Sequence, residues 1–321
     1  MTKKLGLFDV SLETEIGKPK DEKTVVKGTD AKFAFKTIAR QMELNGLRQR
    51  TIQDYQMNFD KFLHLTKTTY LEEINTDTIY LWLSSINVSP QTKLTRLKCI
   101  KAILGKCFNN GWFKTKFWLN IQIKVDKHVK KGADKNDLNL LISLLDTSTF
   151  IGLRDAVAIL TLQKTGIRIF TLGEIKESHI DFQDKSLILG GDVMKNHNHI
   201  KLPLDDKLIN LYQILINLNH KIRTYYMQDN EYLFIGRRGK RINNKSSNNT
   251  ISRQLSKYSQ RYNLDNINAH AIRRSYAKNL YDKKASVALI SKALGHANLS
   301  VTTQYLDLEV NEVAESLRDY L

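Results

Sequence analysis

The chain has 321 residues, long enough for about two domains, and its 41% hydrophobic content is ordinary for a globular protein. Lysine and arginine number 50 against 33 acidic residues; a folded chain with a net charge of +17 usually binds a polyanion, because its cations release counterions condensed on phosphates. The sequence shows neither a basic amphipathic helix with aromatic anchors nor an apolar stretch long enough to span a bilayer, so its charge favours nucleic acid over a membrane.

Residues 1–29 are polar and charged with little periodicity, and we expect them to form a flexible arm. Apolar residues at helical spacing then predict a compact four-helix domain over residues 30–118. Thr51 is predicted to cap the second helix, and Ser89-Pro90 marks the start of the fourth, because proline is favoured at a first helical position. The four helices are predicted at 30–44, from 51 onwards, at 76–85, and from 89 to about 111.

Both cysteines of the chain, Cys99 and Cys107, lie in the pattern of this fourth helix. Their spacing fits neither a zinc site nor a Cys-x-x-Cys pair, so we expect buried free thiols in a reducing cytosol. The start of the chain lacks the long apolar core of a secretion signal. The sequence thus predicts a soluble, cytoplasmic protein.

Residues 119–136 are predicted to be an interdomain linker, because a polar, basic, glycine-containing stretch interrupts the apolar periodicity. The second domain is predicted to span residues 137–321. Its helical patterns lie at 137–145, at 153–165 and from 205 to the end with a loop at 236–248, and its β-type runs lie at 179–182, 186–189 and 199–204. The expected fold class is mainly α with a small antiparallel β-sheet, a helical domain followed by an α+β domain.

Four short motifs in the second domain carry residues suited to phosphate chemistry. Arg168 follows Thr165-Gly166 at the end of an apolar helix, and His270 and Arg273 share one face of another because they are three positions apart. His296 directly follows a predicted glycine helix stop, and Tyr305 belongs to a short helix. Taken singly, each motif is explained as well by a solvated helix start, a favourable helix dipole or core packing.

Together, the order Thr-Gly-Ile-Arg, His-Ala-Ile-Arg, Leu-Gly-His and then a tyrosine nine positions after that histidine resembles the tyrosine recombinases, or phage-type integrases. The resemblance covers most of the chain. It implies that residues 30–118 form a helical core-binding domain of the SAM-like type and residues 137–321 the catalytic domain. The two domains together would clamp a DNA duplex.

The resemblance also implies a role for each motif residue. Tyr305 is the expected nucleophile, which attacks a backbone phosphate to leave a 3′-phosphotyrosine and a free 5′-hydroxyl. Arg168 and Arg273 would bind the non-bridging oxygens, His270 would handle a proton, and His296 would hydrogen-bond the phosphate. The general acid is expected to be Lys195 in a β-hairpin, with Lys201 as the alternative if the register differs. No metal, ATP or other cofactor is expected, since the sequence shows no acidic cluster of metal-binding type.

Two positions depart from the family pattern. Thr171 stands where an acidic residue is common, with Glu174 one turn further on, and Arg274 replaces a frequent histidine. Cations outside the motifs are expected to contact the DNA backbone. Those singled out lie on the fourth helix and in the loop around Gly239: Lys93, Arg96, Lys98, Arg237, Arg238, Lys240 and Arg241.

The expected partner is double-stranded DNA at paired specific sites, bound by a tetramer of the chain in the nucleoid, with accessory DNA-bending proteins and no membrane. The apolar stripe of Val310, Val313 and Leu317 suits a C-terminal helix that docks on a neighbouring copy or folds back on its own domain. Two other functions remain open from sequence: a type IB topoisomerase-like enzyme that relaxes supercoils alone, and a DNA-binding regulator without catalysis. The complete set of motif residues argues against the second.

Overall fold

The computed structural model describes residues 28–126, 130–191, 193, 199–243, 249–296, 298–306 and 318. The chain divides into two compact units, Met1–Lys127 and His128–Leu321. The predicted arm, 1–29, lies outside the described residues except for its last two, and there the backbone N–H of Thr29 donates to the Glu72 carboxylate at 3.0 Å. None of the described helices is both long and apolar enough to cross a bilayer.

The first unit is helical and closes around an aromatic core. Phe62 packs against Phe59 and edge-on against Trp82, with ring centroids 6.2 and 5.3 Å apart. Ser89 caps the fourth helix and Pro90 occupies its first position, as the sequence predicts. The predicted start of the second helix at Thr51 is wrong: the helix begins earlier, directly after Arg48, whose side chain makes no cap. Its helices are α1 (Ala31–Leu44), α2 (Gln49–Thr66), α3 (Thr76–Ser85) and α4 (Pro90–Asn109), with 3-10 turns at Leu71–Glu73 and Phe117–Asn120.

The second unit combines eight described helices with one small sheet. The strands β1 (Ile180–Asp181), β2 (Ser186–Leu189) and β3 (Ile200–Pro203) pair antiparallel in the order β1-β2-β3, with Leu187 opposite Leu202. The predicted fold class, mainly α with a small antiparallel sheet, is therefore confirmed. The helices are α5 (Lys135–Leu144), α6 (Phe150–Thr165), α7 (Ile169–Gly173), α8 (Asp206–Tyr225), α9 (Thr250–Arg261), α10 (Ala269–Asp282), α11 (Val287–Leu294) and α12 (Leu299–Leu306).

Helix α6 is the central element of the second unit. Its side chains are buried around most of its circumference, because α8, α9 and α10 all pack against it. A helix that is apolar on every side is stable only where other elements surround it. A buried hydroxyl pair, Thr161 with Tyr212 of α8, is satisfied by a mutual hydrogen bond of 2.9 Å. The helix therefore fixes the position of whatever extends from its carboxyl end.

At its amino end α6 carries a buried ion pair, Arg154 and Asp155. Two nitrogens of Arg154 donate to one Asp155 oxygen at 2.9 and 2.6 Å, and a third donates to the carbonyl of Ile235 at 3.0 Å. The second Asp155 oxygen accepts from the Tyr258 hydroxyl at 2.7 Å and from Gln254 at 3.2 Å. Burial and the Asp155 carboxylate raise the pKa of Tyr258, which keeps it a hydrogen-bond donor. The network ties α6 to α9.

Both ends of the stretch predicted as a linker, 119–136, are packed into a unit. Ile121 is buried in the core of the first unit. Ala133 is buried in the second, where its N–H donates to the carbonyl of Ala271 at 3.1 Å. Asn266 holds the neighbouring carbonyls of Lys131 and Gly132 at 3.0 and 2.9 Å. Residues 127–129 of this stretch lie outside the described residues.

Asp155→Ala should destabilise the protein by about 3–5 kcal/mol, because it leaves the Arg154 charge buried without its partner. The matched control is Asp282→Ala, which removes an exposed carboxylate 3.6 Å from Lys278 and should change stability by less than about 0.5 kcal/mol. Urea unfolding followed by far-ultraviolet circular dichroism measures both. Equal shifts for the two variants would contradict the structural role of the buried pair.

Candidate active site

Four segments of the second unit bring the motif residues together. Arg168 follows the left-handed glycine that ends α6 and caps α7, and Arg273 lies in α10. His296 follows the left-handed glycine that ends α11, and Tyr305 lies in α12. Gly166 is required at its turn, because φ is +61° and a Cβ atom there would lie 2.2 Å from the ring of Tyr276.

The guanidinium of Arg273 is the centre of this arrangement. It is 2% exposed and donates to the carbonyl of Gly166 and to the carbonyl of Leu294, both at 2.6 Å. These carbonyls belong to the turns that end α6 and α11, so one side chain joins the turn before Arg168 to the turn before His296. The Nε atom of Arg273 is buried without a hydrogen-bond partner in the described part of the chain.

His296 is held by hydrogen bonds to both ring nitrogens. Nε2 lies 3.0 Å from Nη2 of Arg273, and Nδ1 lies 2.8 Å from the hydroxyl of Thr302. Arginine only donates, so Nε2 accepts and Nδ1 carries the proton. Partial burial and the charges of Arg273 and Arg168 lower the pKa of His296 to about 4. The imidazole is therefore neutral near neutral pH.

The Tyr305 ring lies among these groups. Its centroid is 5.0 Å from that of His296, and the guanidinium carbons of Arg273 and Arg274 lie 6.0 and 5.8 Å from it. Helix α12 is held against α10 and α11 by buried Leu306. The Tyr305 ring thus lies beside two guanidiniums.

No carboxylate among the described residues balances the positive charge of this cluster. Neither Arg168 nor Arg273 forms an ion pair with a residue of the described ranges. The charge of each lowers the pKa of the groups beside it. Burial and then the charge of Arg168 lower the pKa of Arg273. Guanidiniums that lie so close together repel one another, so the site favours an anion with several acceptor oxygens. A phosphodiester has this chemistry.

His270 lies in the first turn of α10 and retains contact with solvent. It faces a groove lined by Lys130, Lys131, Asn266, Asn268 and Arg274. Partial desolvation, followed by the charges of Arg274 and Arg273, lowers its pKa. A neutral imidazole at the rim of the cationic cluster is able to accept a proton.

Lys195 lies outside the described residues, so its position relative to the site stays a prediction. The alternative, Lys201, lies in β3 and forms an ion pair with Asp184, which raises the pKa of the lysine. Lys201 therefore forms a surface ion pair in β3, and Lys195 stays the candidate acid that the family resemblance implies. In the part of the chain that the structure describes, no three His, Cys, Asp or Glu side chains cluster as metal ligands would.

Glu174 does not support Arg168. Its carboxylate accepts from Arg241 at 2.6 Å and from Asn243 at 2.7 Å. Arg241 also lies over the ring of Tyr232, at 5.2 Å. In the loop predicted to bind the DNA backbone, Arg241 is thus engaged within the protein. The other three cations, Arg237, Arg238 and Lys240, belong to a turn that is closed by a 2.7 Å hydrogen bond from the N–H of Gly236 to the carbonyl of Lys240. Arg238 and Lys240 lie on the surface of this turn.

On α4 of the first unit, the predicted cations differ in availability. The ammonium of Lys93 donates to the carbonyl of Leu83 at 2.8 Å, whereas Lys98 is exposed. Arg96 lines a groove of the same unit together with further cations that the sequence analysis missed. These are Lys32, Lys36, Lys61 and Lys67. The four-residue spacing of the first two, which places them on one face of α1, is the signal that identifies them.

Comparisons with known proteins identify the family of the chain. The model of the phage integrase family matches residues 133–312. Tyrosine recombinase XerC of Salmonella typhi is 22% identical over 272 residues, 82% of this chain and 87% of that protein. Tyrosine recombinase XerA of Pyrococcus horikoshii is 27% identical over 195 residues, 60% of this chain and 62% of that protein, so the match spans less than two thirds of the archaeal relative.

Two solved structures show the same fold. The Tn1549 transposon integrase in complex with a circular intermediate DNA has a TM-score of 0.67 at 13% identity, covering 90% of this chain and 99% of that one. A lambda integrase dimer bound to a COC′ core site also has a TM-score of 0.67, at 17% identity, covering 88% and 81%.

The low pKa of His296 predicts how stability changes with pH. An unfolded histidine titrates near pH 6.5, so between that pH and about 4 the unfolded chain binds more protons than the folded one. The stability that comes from keeping His296 neutral is fully present above the pKa of the unfolded histidine, and it is lost as the pH falls from that value towards about 4. His296→Gln should therefore lose less stability than wild type between about pH 7 and about pH 5, as measured by urea midpoints. Equal losses in the two proteins would show that His296 is not buried among cations.

Proposed function

Because the chain belongs to the phage integrase family, we propose that it is a site-specific DNA recombinase that cleaves and rejoins DNA through Tyr305. The observation that carries the proposal is the convergence of Arg168, Arg273 and His296 beside the Tyr305 ring, with no carboxylate paired to either arginine among the described residues. Such a cluster binds a phosphate and places a hydroxyl nucleophile next to it. The names of relatives and neighbours, recombinases and integrases, support the same activity.

In the proposed reaction, the phenolic oxygen of Tyr305 forms a bond to the scissile phosphorus while the bond from phosphorus to the 5′-oxygen breaks. His270 accepts the phenolic proton, and Lys195 donates a proton to the departing 5′-oxygen. The product is a 3′-phosphotyrosine and a free 5′-hydroxyl. A 5′-hydroxyl of the partner duplex then attacks the phosphotyrosine and gives its proton to Lys195, while the bond from phosphorus to Tyr305 breaks and His270 returns a proton to the phenolic oxygen. Because the phosphotyrosine retains the energy of the phosphodiester bond, no ATP is needed.

The two arginines stabilise the pentavalent phosphate. Arg168 can present paired donors that match two phosphate oxygens, a geometry that a lysine ammonium does not reproduce, and Arg273 adds its positive charge beside them. Arg273 is already fixed by two carbonyls, so it needs little reorganisation when charge develops on the phosphate.

The surface cations extend the contact along the DNA backbone. Arg237, Arg238 and Lys240 in the second unit and Arg96 and Lys98 in the first are the proposed phosphate contacts. Solved neighbours include a dimer on a core site and a recombinase bound to its difH substrate. By that analogy we propose that several copies of this chain assemble on paired DNA sites, and a tetramer in the nucleoid is the assembly that the family resemblance implies. The stripe of Val310, Val313 and Leu317, outside the described residues, is the segment proposed to join neighbouring copies.

Tyr305→Phe should abolish a covalent protein–DNA adduct while leaving DNA binding intact, because only the attacking oxygen is removed. Purified protein is incubated in EDTA with labelled duplexes carrying candidate sites, and the adduct is detected after SDS treatment. Tyr225→Phe, which alters a tyrosine that is 78% exposed, is the matched control and should form adduct as wild type does. Specific binding by wild type without any adduct would reject the catalytic proposal in favour of a DNA-binding regulator.

Arg238→Gln should reduce the salt dependence of DNA binding by about one unit of slope, because one phosphate contact is lost. Arg241→Gln should change the slope less, since its guanidinium already pairs with Glu174. Filter binding or fluorescence anisotropy over a range of salt concentrations measures the slope. A larger effect at Arg241 than at Arg238 would show that the loop contacts DNA differently.

A further inference from the structure

Thr302 is a buried hydroxyl that the proposed reaction does not use. It is 0% exposed and lies one helical turn before Tyr305 on α12, where its oxygen is 2.8 Å from Nδ1 of His296. Sequence reasoning did not identify it, since a threonine inside a short helix carries no signal of its own. The contact relates the helix that carries the nucleophile directly to a phosphate-binding group.

The hydrogen bonds of His296 leave one arrangement of its protons. Arg273 has no acceptor, so Nε2 holds a lone pair towards it, and Nδ1 donates to Thr302. In this neutral form Nε2 has no proton to give to a phosphate oxygen. A phosphodiester that enters between Arg168 and Arg273 adds negative charge beside the ring and favours proton uptake at Nε2. Proton uptake at Nε2 ends the bond that this atom accepts from Arg273, so the ring then donates to a phosphate oxygen from Nε2 and still donates to Thr302 from Nδ1.

We propose that Thr302 is a positioning residue for DNA cleavage, whose hydroxyl accepts from Nδ1 of His296 and thereby points Nε2 at Arg273 and the scissile phosphate. The inference rests on the proposed recombinase function and adds a residue to that site. Without the hydroxyl, the Nδ1–H loses this acceptor, and a partly buried donor left unpaired is unfavourable. The ring then turns away to find another acceptor, and Nε2 loses its direction.

The alternative explanation is that Thr302 only fills space under α12. Two substitutions distinguish the explanations, because valine keeps the shape of threonine without its hydroxyl, and serine keeps the hydroxyl without the methyl group. Thr303 offers a matched control on the same helix: it is exposed, and its hydroxyl donates to the carbonyl of Ser300 at 2.9 Å. The test therefore uses Thr302→Val, Thr302→Ser and Thr303→Val in the full-length protein.

The first measurement is the single-turnover rate of covalent adduct formation on a bound duplex, followed over a range of pH. Thr302→Val should slow adduct formation by about ten-fold and change its pH dependence, with DNA affinity unchanged. Thr302→Ser should retain most of the wild-type rate and the wild-type profile, and Thr303→Val should match wild type. A variant that only loses packing would instead lower the unfolding midpoint without moving the pH profile.

The second measurement needs no cleavage. Nitrogen-15 shifts of the His296 ring in the DNA-free protein distinguish the two neutral tautomers. Wild type and Thr302→Ser should show the proton on Nδ1, and Thr302→Val should show a mixture or the proton on Nε2. Unchanged tautomer and wild-type cleavage in Thr302→Val would overturn the inference, as would equal impairment of the serine and valine variants.

The two measurements also keep this inference separate from the proposed function. If wild-type protein binds its site but forms no adduct, the recombinase proposal fails, and the role of Thr302 in cleavage fails with it. If wild type forms the adduct and Thr302→Val does so equally fast, only the inference about Thr302 fails.

Discussion

The second unit depends on one buried guanidinium. Arg273 binds the carbonyls that end α6 and α11, two turns that are 128 residues apart in the chain, counted from Gly166 to Leu294. Buried backbone carbonyls need a donor, and a buried guanidinium needs acceptors, so each side satisfies the other. Because the same turns precede Arg168 and His296, the contact that stabilises the fold also sets the spacing of these two side chains.

This arrangement explains why the centre of the site is electrostatically unbalanced. The Arg154–Asp155 pair at the far end of α6 shows how the protein treats a buried arginine that only has a structural role: a carboxylate neutralises it. Arg273 receives neutral carbonyls instead. Helix α6 therefore carries a neutralised arginine near its amino end, whereas its carboxyl end leads to two arginines that have no paired carboxylate among the described residues. A negatively charged ligand would balance their charge.

The sequence predicted the fold class and the residues of the candidate site because both are local signals. Helical periodicity, the Ser89-Pro90 start and the glycine stops at 166 and 295 are each read from a few neighbouring residues, as are the motifs ending in Arg168, Arg273 and His296. What it could not predict joins distant segments. The pairing of Glu174 with Arg241 spans 67 positions, and nothing in either neighbourhood requires it. The same holds for Lys93, whose charge suggested an exposed contact but whose ammonium is bound to Leu83.

Helix α12 has eight residues, and it carries both the Thr302 hydroxyl and the Tyr305 phenol within one turn. A displacement of this helix withdraws the attacking oxygen and, in the same movement, removes the acceptor from the Nδ1–H of His296. In the wild-type chain, a movement of α12 therefore cannot displace the Tyr305 phenol without also breaking the contact between Thr302 and His296. In the proposed reaction, such a displacement would therefore remove the nucleophile and the orientation of the histidine together.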